Sequence, residues 1–420
     1  MIEYAGTERA YLIGLRGPGE SERHAKQMLE ELKALTRSIG LAVAGSRIAA
    51  IREVSPRYYL GSGKSEEIAE RAADLEADVI VFDHDLSPSQ QRNWEKLSHR
   101  TVTDRQGVIL EIFADRARTR EAQLQVELAR MVYSLPRLTS AWSHLSRQRG
   151  GRRGTRGEGE TQLEVDRRAV QQRIAALKRD LSGVKDQRDT LRHQRTDLPV
   201  PMGAIVGYTN AGKSSLLHRL TGSEVLVADK LFATLDPATR RLELPGGQEV
   251  VLTDTVGFIQ RLPHGLIEAF KSTLEETRVA SFLLHVVDGA DEAATDHART
   301  TREVLDEIRT GDKPTITVVN KADMMSDEDR ERVAIGFPDA ISISAETGAG
   351  IEELLSAITS CVAEQYQRIA VELPHSRYDL AALIHRTGRI IEEHHADQCV
   401  SIRADVPART EKLLAEYRIA

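Results

Sequence analysis

The sequence predicts an α/β protein built around a doubly wound sheet. Three observations carry this. An apolar, strand-like run at 202–206 leads through a glycine-rich loop, 207–214, into a helix-like stretch from Ser215. A second run, 250–253, ends in Asp254-Thr255-Val256-Gly257, and a third, 315–319, ends in Asn320-Lys321-Ala322-Asp323. Short buried strands that each end in a polar loop belong to parallel sheets, whose ligands gather at the carboxyl ends of the strands.

The first loop reads Gly207-Tyr208-Thr209-Asn210-Ala211-Gly212-Lys213-Ser214 and fits G-x-x-x-x-G-K-[ST] at every fixed position. Its glycines let the backbone curl so that successive N–H groups face a phosphate, and the helix that starts here adds its positive end. Lys213 supplies a point charge for β- and γ-phosphates, and Ser214 a hydroxyl for Mg²⁺. A decoy lies at Gly61-Ser-Gly-Lys-Ser65. It lacks the earlier glycine, since Tyr58 occupies that place, and reads as a loop opening a helix over 66–73.

The later motifs select the base. Asp323 at a strand end can accept hydrogen bonds from guanine N1–H and the 2-amino group, which adenine lacks, so Asn320 to Asp323 reads as a guanine reader. Ser344-Ala345-Glu346, after another β run, follows in the expected order, with a backbone N–H for guanine O6. Asp254 suits a water-mediated Mg²⁺ contact, and the Gly257 N–H suits the γ-phosphate. The intervening 231–237 segment must supply the first switch threonine. Thr234 is the choice and Thr239 the alternative. Together these place a P-loop G domain at 199–366, binding GTP or GDP with Mg²⁺ on Ser214 and Thr234.

Two residues bear on mechanism. Phe258 stands after the Asp-x-x-Gly glycine, where many small GTPases carry the Gln that orients water. Asn210 resembles the asparagine that binds K⁺ beside the phosphates in some GTPases. The alternative is that Asn210 serves the loop conformation alone. Lys213, Thr234, Gly257 and Asn210 are the expected catalytic set.

Around this domain the 420-residue chain has room for more. Residues 1–105 alternate strands and helices, as in a small parallel α/β domain. Asp83-His84-Asp85 there reads as a cap or turn. Over 106–198, apolar residues at Ala117, Leu124, Leu128, Met131 and Leu135, and again every seven from Leu163 to Leu191, predict an antiparallel helical hairpin. Pro136 ends its first helix. Residues 367–420 read as strand, helix, strand, strand, helix, a small α+β domain. Glu392-Glu-His-His395 reads as a strand end rather than a metal site.

Net charge is −7, yet 137–157 holds six arginines and no Asp, Glu or Lys. Five lie among glycines at the hairpin tip, a composition suited to ordering on RNA. Cys361 and Cys399 have no metal or disulfide spacing and read as buried thiols of a reducing compartment. No leader opens the chain and no run is long and apolar enough for a membrane span, so a cytoplasmic location and a monomeric free state are expected.

The chain resembles the HflX family of ribosome-associated GTPases. The residues that carry the resemblance are Pro56-Arg-Tyr-Tyr-Leu-Gly-Ser-Gly-Lys64, Asp85-Leu-Ser-Pro-Ser-Gln-Gln-Arg-Asn93, Gly154-Thr-Arg-Gly-Glu-Gly-Glu-Thr-Gln-Leu-Glu164 and Phe232-Ala-Thr-Leu-Asp236, with the loop 207–214. Glu158 stands where the family usually has Pro. The resemblance implies binding to the large ribosomal subunit and its RNA through the helical arm and N-terminal domain, and splitting or rescue of stalled ribosomes under stress. The alternatives are a signalling switch with a protein partner and a G-domain regulator of an RNA-modifying activity.

Overall fold

Strand-forming runs and capped helices alternate along the chain in the computed structural model. It describes residues 8–138, 156–196, 200–222, 231–232, 234–235, 237–245, 247–261, 276–364, 366–396 and 398–419; within the helix 156–196, side chains are described over 164–184. The arginine-rich tip at 147–155 lies outside them. The described residues fall into two compact units, one within 1–184 and one within 185–420.

In the first unit, β1 (Arg9–Arg16), β2 (Ala42–Ala50), β3 (Val79–Phe82) and β4 (Thr101–Asp104) form a parallel sheet in the order β2-β1-β3-β4. Helices α1 (Glu22–Ser38), α2 (Ser62–Asp74), α3 (Pro88–Ser98) and α4 (Arg105–Arg116) connect and cover it. β3 is buried along its whole length, which explains its unbroken Val-Ile-Val-Phe reading. β4 is too short to stand out in the sequence. Helix α2 begins at Ser62, four residues before the expected start.

Two motifs that carry the resemblance meet in this unit. Ser87 and Gln90 form a reciprocal capping box with Pro88 at the first turn of α3. From that helix Gln90 donates to the Ser55 carbonyl, Asn93 to that of Arg57 and Trp94 to that of Tyr58, at 2.8–3.0 Å. The 55–60 loop is thus pinned by α3.

Asp83 is not a cap. Its carboxylate pairs with Arg105 at 2.8 Å, both groups are 1 % exposed, and Glu31 contacts the same guanidinium. Arg137, outside the five arginines of the tip, is held in the first unit. It pairs with Asp104 at 3.2 Å and lies 3.7 Å over the Tyr133 ring.

The expected first arm helix is divided. Ala117 caps α4, Thr119 opens α5 (Arg120–Ser134), and a 3-10 turn at Leu135–Arg137 contains Pro136. The second, α6, runs Arg156–Thr196 without a break at Gly183. Leu177 of the heptad seam is fully buried, and Arg173 pairs with Glu127 of α5 at 2.7 Å.

In the second unit, β5 (Met202–Gly207), β6 (Ala238–Glu243), β7 (Glu249–Asp254), β8 (Phe282–Asp288), β9 (Thr315–Asn320) and β10 (Ile341–Ser342) form a sheet in the order β10-β9-β8-β5-β7-β6. Only β6 is antiparallel. Helices α7 (Lys213–Thr221), α8 (Ala294–Glu307), α9 (Asp327–Gly336) and α10 (Ile351–Ala363) complete the doubly wound fold. Leu216, Leu217, Leu252, Phe282, Leu284, Leu354 and Ile358 bury in one cluster, each contributing about 1.5–3 kcal/mol by leaving water.

Toward the C-terminus, β11 (Tyr366–Pro374), β12 (Arg389–His395) and β13 (Cys399–Pro407) form an antiparallel sheet in the order β11-β13-β12, with helices Tyr378–Thr387 and Ala408–Leu413. This is the order of elements read from the sequence. No group of three metal-ligating side chains occurs among the described residues. Both cysteines are half-buried rather than buried, and Cys399 donates to Glu372.

Candidate nucleotide site

Three strand ends and one helix start meet in the second unit. β5 ends at Gly207, and the loop that follows is built for close backbone approach. Asn210 adopts φ 61°, the left-handed region that Asn tolerates better than most residues. Gly212 has φ 89°, and a Cβ there would sit 2.2 Å from Asn320 Nδ2, so only glycine fits. Helix α7 opens at Lys213 with Gly212 as its cap.

Lys213 is buried, and its Nζ donates to the Tyr208 carbonyl at 2.7 Å. Burial lowers its ammonium to about 8, although the Asp254 carboxylate favours the charge. A phosphate placed in the loop would restore that charge. Asp254 closes β7. Burial pushes its carboxyl up, and the Lys213 ammonium opposes this.

Ser214 Oγ lies 2.6 Å from Asp254 Oδ2 and 2.7 Å from Thr234 Oγ1. Thr234 is therefore the threonine brought to the site. Thr239, the alternative, sits in β6 against Thr253. Asp254 Oδ1 is buried with no hydrogen-bond partner among the described residues.

At the base end, both polar atoms of the Asn320 amide bond within the protein. Nδ2 donates to the Ala211 carbonyl at 2.9 Å, and Oδ1 accepts the Ala345 N–H at 3.0 Å. It braces the phosphate loop against the Ser344–Glu346 segment. The Ala345 N–H, expected at guanine O6, is thus engaged within the protein. Arg219 of α7 adds a second brace, donating to the carbonyls of Ala345, at 2.8 Å, and Glu346. No sequence pattern flagged it.

Lys321, at φ 66°, pairs with Asp288 at 2.7 Å, and the Ala322 N–H donates to Ile343. Asp323 is exposed and free of these braces. Ser344 is buried, with its hydroxyl accepting the Thr347 N–H, and Glu346 is exposed.

Thr255 donates its hydroxyl to the Ile205 carbonyl, and Val256 is buried, so both serve by position. A Cβ at Gly257 would fall 2.7 Å from Thr209 Cα and 3.0 Å from Lys213 Nζ. Its backbone therefore lies directly over the loop. Phe258 is buried, with no polar group to offer water. Ser215 is half-buried on α7.

Comparison with known proteins agrees with this geometry. Residues 202–321 match a family model described as 50S ribosome-binding GTPase. Residues 26–114 and 116–195 match the models for the GTP-binding GTPase N-terminal and middle regions. The GTPase HflX of Akkermansia muciniphila is 45% identical over 412 residues, covering 95% of this chain and 94% of its own. That of Escherichia coli is 44% identical over 386 residues, covering 90% and 89%. The crystal structure of SsGBP in complex with GDP is similar at 25% identity and TM-score 0.48, covering 84% of this chain and 98% of its own. Near-full-length identity at this level, over a site with this order of motifs, shows that the chain belongs to the HflX family of GTPases.

Proposed function

We propose that this protein is a GTP-hydrolysing switch that binds the large ribosomal subunit and its RNA and splits or rescues stalled ribosomes under stress. The match of 202–321 to a 50S ribosome-binding GTPase model carries the reading. The curated relatives are named GTPase HflX across nearly their whole length, which supports a shared role for all regions.

The proposed divisions are 1–105, 106–198, 199–366 and 367–420. The arm and the N-terminal domain make the ribosomal contact, with the arginines of 147–156 on phosphate. The protein acts in the cytoplasm and is monomeric when free. Among the described residues no helix is long and apolar enough to cross a membrane.

Mg²⁺ fits the site. The orphaned Asp254 Oδ1, beside the clustered Ser214 and Thr234 oxygens, is a donor set for a hard cation. Ser214 and Thr234 would hold it directly and Asp254 through water. When bound it neutralises charge between the β- and γ-phosphates. Lys213 supports the same phosphates, and the Gly257 N–H faces the γ-phosphate. Asp323 reads guanine, while Asn320 and Arg219 hold its pocket in shape. K⁺ at Asn210 supplies charge that Phe258 cannot. Faster hydrolysis in KCl than in NaCl, lost in Asn210→Ala, is expected; equal rates would remove K⁺ from the scheme.

Sedimentation with ribosomal subunits tests the main reading. Co-sedimentation with the large subunit is expected with a non-hydrolysable GTP analogue and should weaken with GDP. Binding should fall steeply with salt, and neutralising Arg152, Arg153 and Arg156 together should flatten that slope. Absent or nucleotide-independent co-sedimentation would overturn it.

A further inference from the structure

Two variable residues of the phosphate loop face away from the cradle and hold the switch segments. Tyr208 Oη accepts the Gln260 N–H at 2.8 Å. The Thr209 N–H donates to the Phe258 carbonyl at 2.7 Å, and the Phe258 N–H donates to Gly207 at 3.1 Å. These bonds tie the segment after Gly257 to the loop. On the other side, Thr209 Oγ1 accepts the Phe232 N–H at 3.0 Å, two residues before Thr234.

The Phe232 anchor is unusual. Its residue is 2 % exposed and its backbone sits at φ 55°, left-handed backbone that a bulky L-residue rarely adopts. Burial of the ring and the bond to Thr209 hold it there.

Tyr208 is itself clamped. His297, from α8, stacks on its ring with centroids 3.7 Å apart and planes 7° from parallel. Asp291 lies 3.3 Å from His297 Nδ1 and orients the imidazole. All of these groups belong to the second unit.

We infer that Tyr208 and Thr209 form a latch that positions the two switch segments, and that His297 sets the Tyr208 half of it from helix α8. The phosphate pattern leaves both loop positions variable, so a residue there can serve the switches without altering the cradle. Through the stack, α8 gains a physical connection to the segment bearing Gly257. His297 is thus a positioning residue for hydrolysis, though it touches neither phosphate nor base.

The inference rests on the GTPase reading but needs no ribosome. Backbone amide exchange on the free, GDP-loaded protein separates the two halves of the latch. Tyr208→Phe keeps the ring and removes the acceptor; it should speed exchange at 258–260 and leave 231–235 unchanged. Thr209→Val should speed exchange at 232 more than at 260. His297→Ala should reproduce the Tyr208→Phe pattern, and His297→Phe, which keeps a stacking ring, should restore protection.

Turnover supplies the second reading. Tyr208→Phe and His297→Ala should lower intrinsic kcat roughly fivefold, the worth of one net hydrogen bond, with a smaller change in KM. Unchanged exchange at 258–260 in both variants would overturn the latch. So would uniform loss of protection across the loop, or failure of His297→Phe to rescue. A wild-type protein that hydrolyses no GTP would sink the GTPase reading alone, because the exchange pattern reads the latch without turnover.

Discussion

The same tripeptide, Gly-Lys-Ser, opens a helix twice in this chain, with opposite surroundings. At 212–214 the glycine has φ 89° and faces Asn320, and the lysine is buried. At 63–65 the glycine has open space around it, and exposed Lys64 donates to the Ala50 carbonyl at 2.6 Å. The difference lies upstream. A Cβ at Gly207 would fall 2.2 Å from the Val286 carbonyl oxygen, so the chain needs glycine there, whereas Tyr58 occupies the matching place in the first unit and its carbonyl is held by Trp94. A phosphate cradle is therefore a property of the whole loop and of the strands behind it.

The largest effect should come from the glycines. Gly212→Ala combines backbone strain with a clash that displaces the Asn320 brace. Guanine nucleotide affinity should fall by at least roughly a hundredfold, read by titration with fluorescent GDP. Retained affinity would break the claim that Gly212 is required by shape. Lys213→Ala should come next, losing on the order of 10–100-fold by removing charge-assisted bonds to phosphate. Lys64→Ala should change neither affinity nor turnover; if it weakens GDP binding, the first loop is no decoy.

Much of this contrast was legible in the sequence, because the phosphate pattern constrains both ends of the loop. In the second unit β5, β7, β9 and β10 were legible from the runs that lead into motifs, whereas β8, buried and central, leads into none. Less visible was anything that depends on partners distant in the chain. The buried Asp83 ion pair left no local trace because Arg105 lies 22 residues away, on the next strand–helix junction. The Arg137 contacts were likewise not legible, because Asp104 meets it only in the fold. Arg219 and His297 carry no motif, and their contacts with Ala345, Glu346 and Tyr208 appear only in the fold. β4 and β6 escaped for another reason, since short or half-exposed strands leave little periodicity.

A pH series sharpens the lysine comparison. Phosphate favours charged Lys213, whose ammonium burial has lowered to about 8. Nucleotide binding therefore takes up a proton above that pH. Affinity should be full below about pH 8 and fall as pH rises through it. The loss should be at most about tenfold between pH 7 and 9. A Lys213→Ala protein should lack this dependence. A flat wild-type profile would mean that another group carries the phosphate interaction.

The smallest effect concerns the first loop alone. Gly63 is exposed in the first turn of α2, no atom lies within 4 Å of an added Cβ, and its φ is outside the left-handed region. Alanine fits there and restricts the unfolded chain. Gly63→Ala should therefore raise stability by about 0.5 kcal/mol, against the large loss of nucleotide affinity expected at Gly212. Chemical denaturation of the first unit's transition, with and without GDP, measures it. A destabilised Gly63→Ala protein would show that this loop needs glycine for close approach after all. It would then be the backbone behind the first loop, rather than its sequence, that had been misjudged.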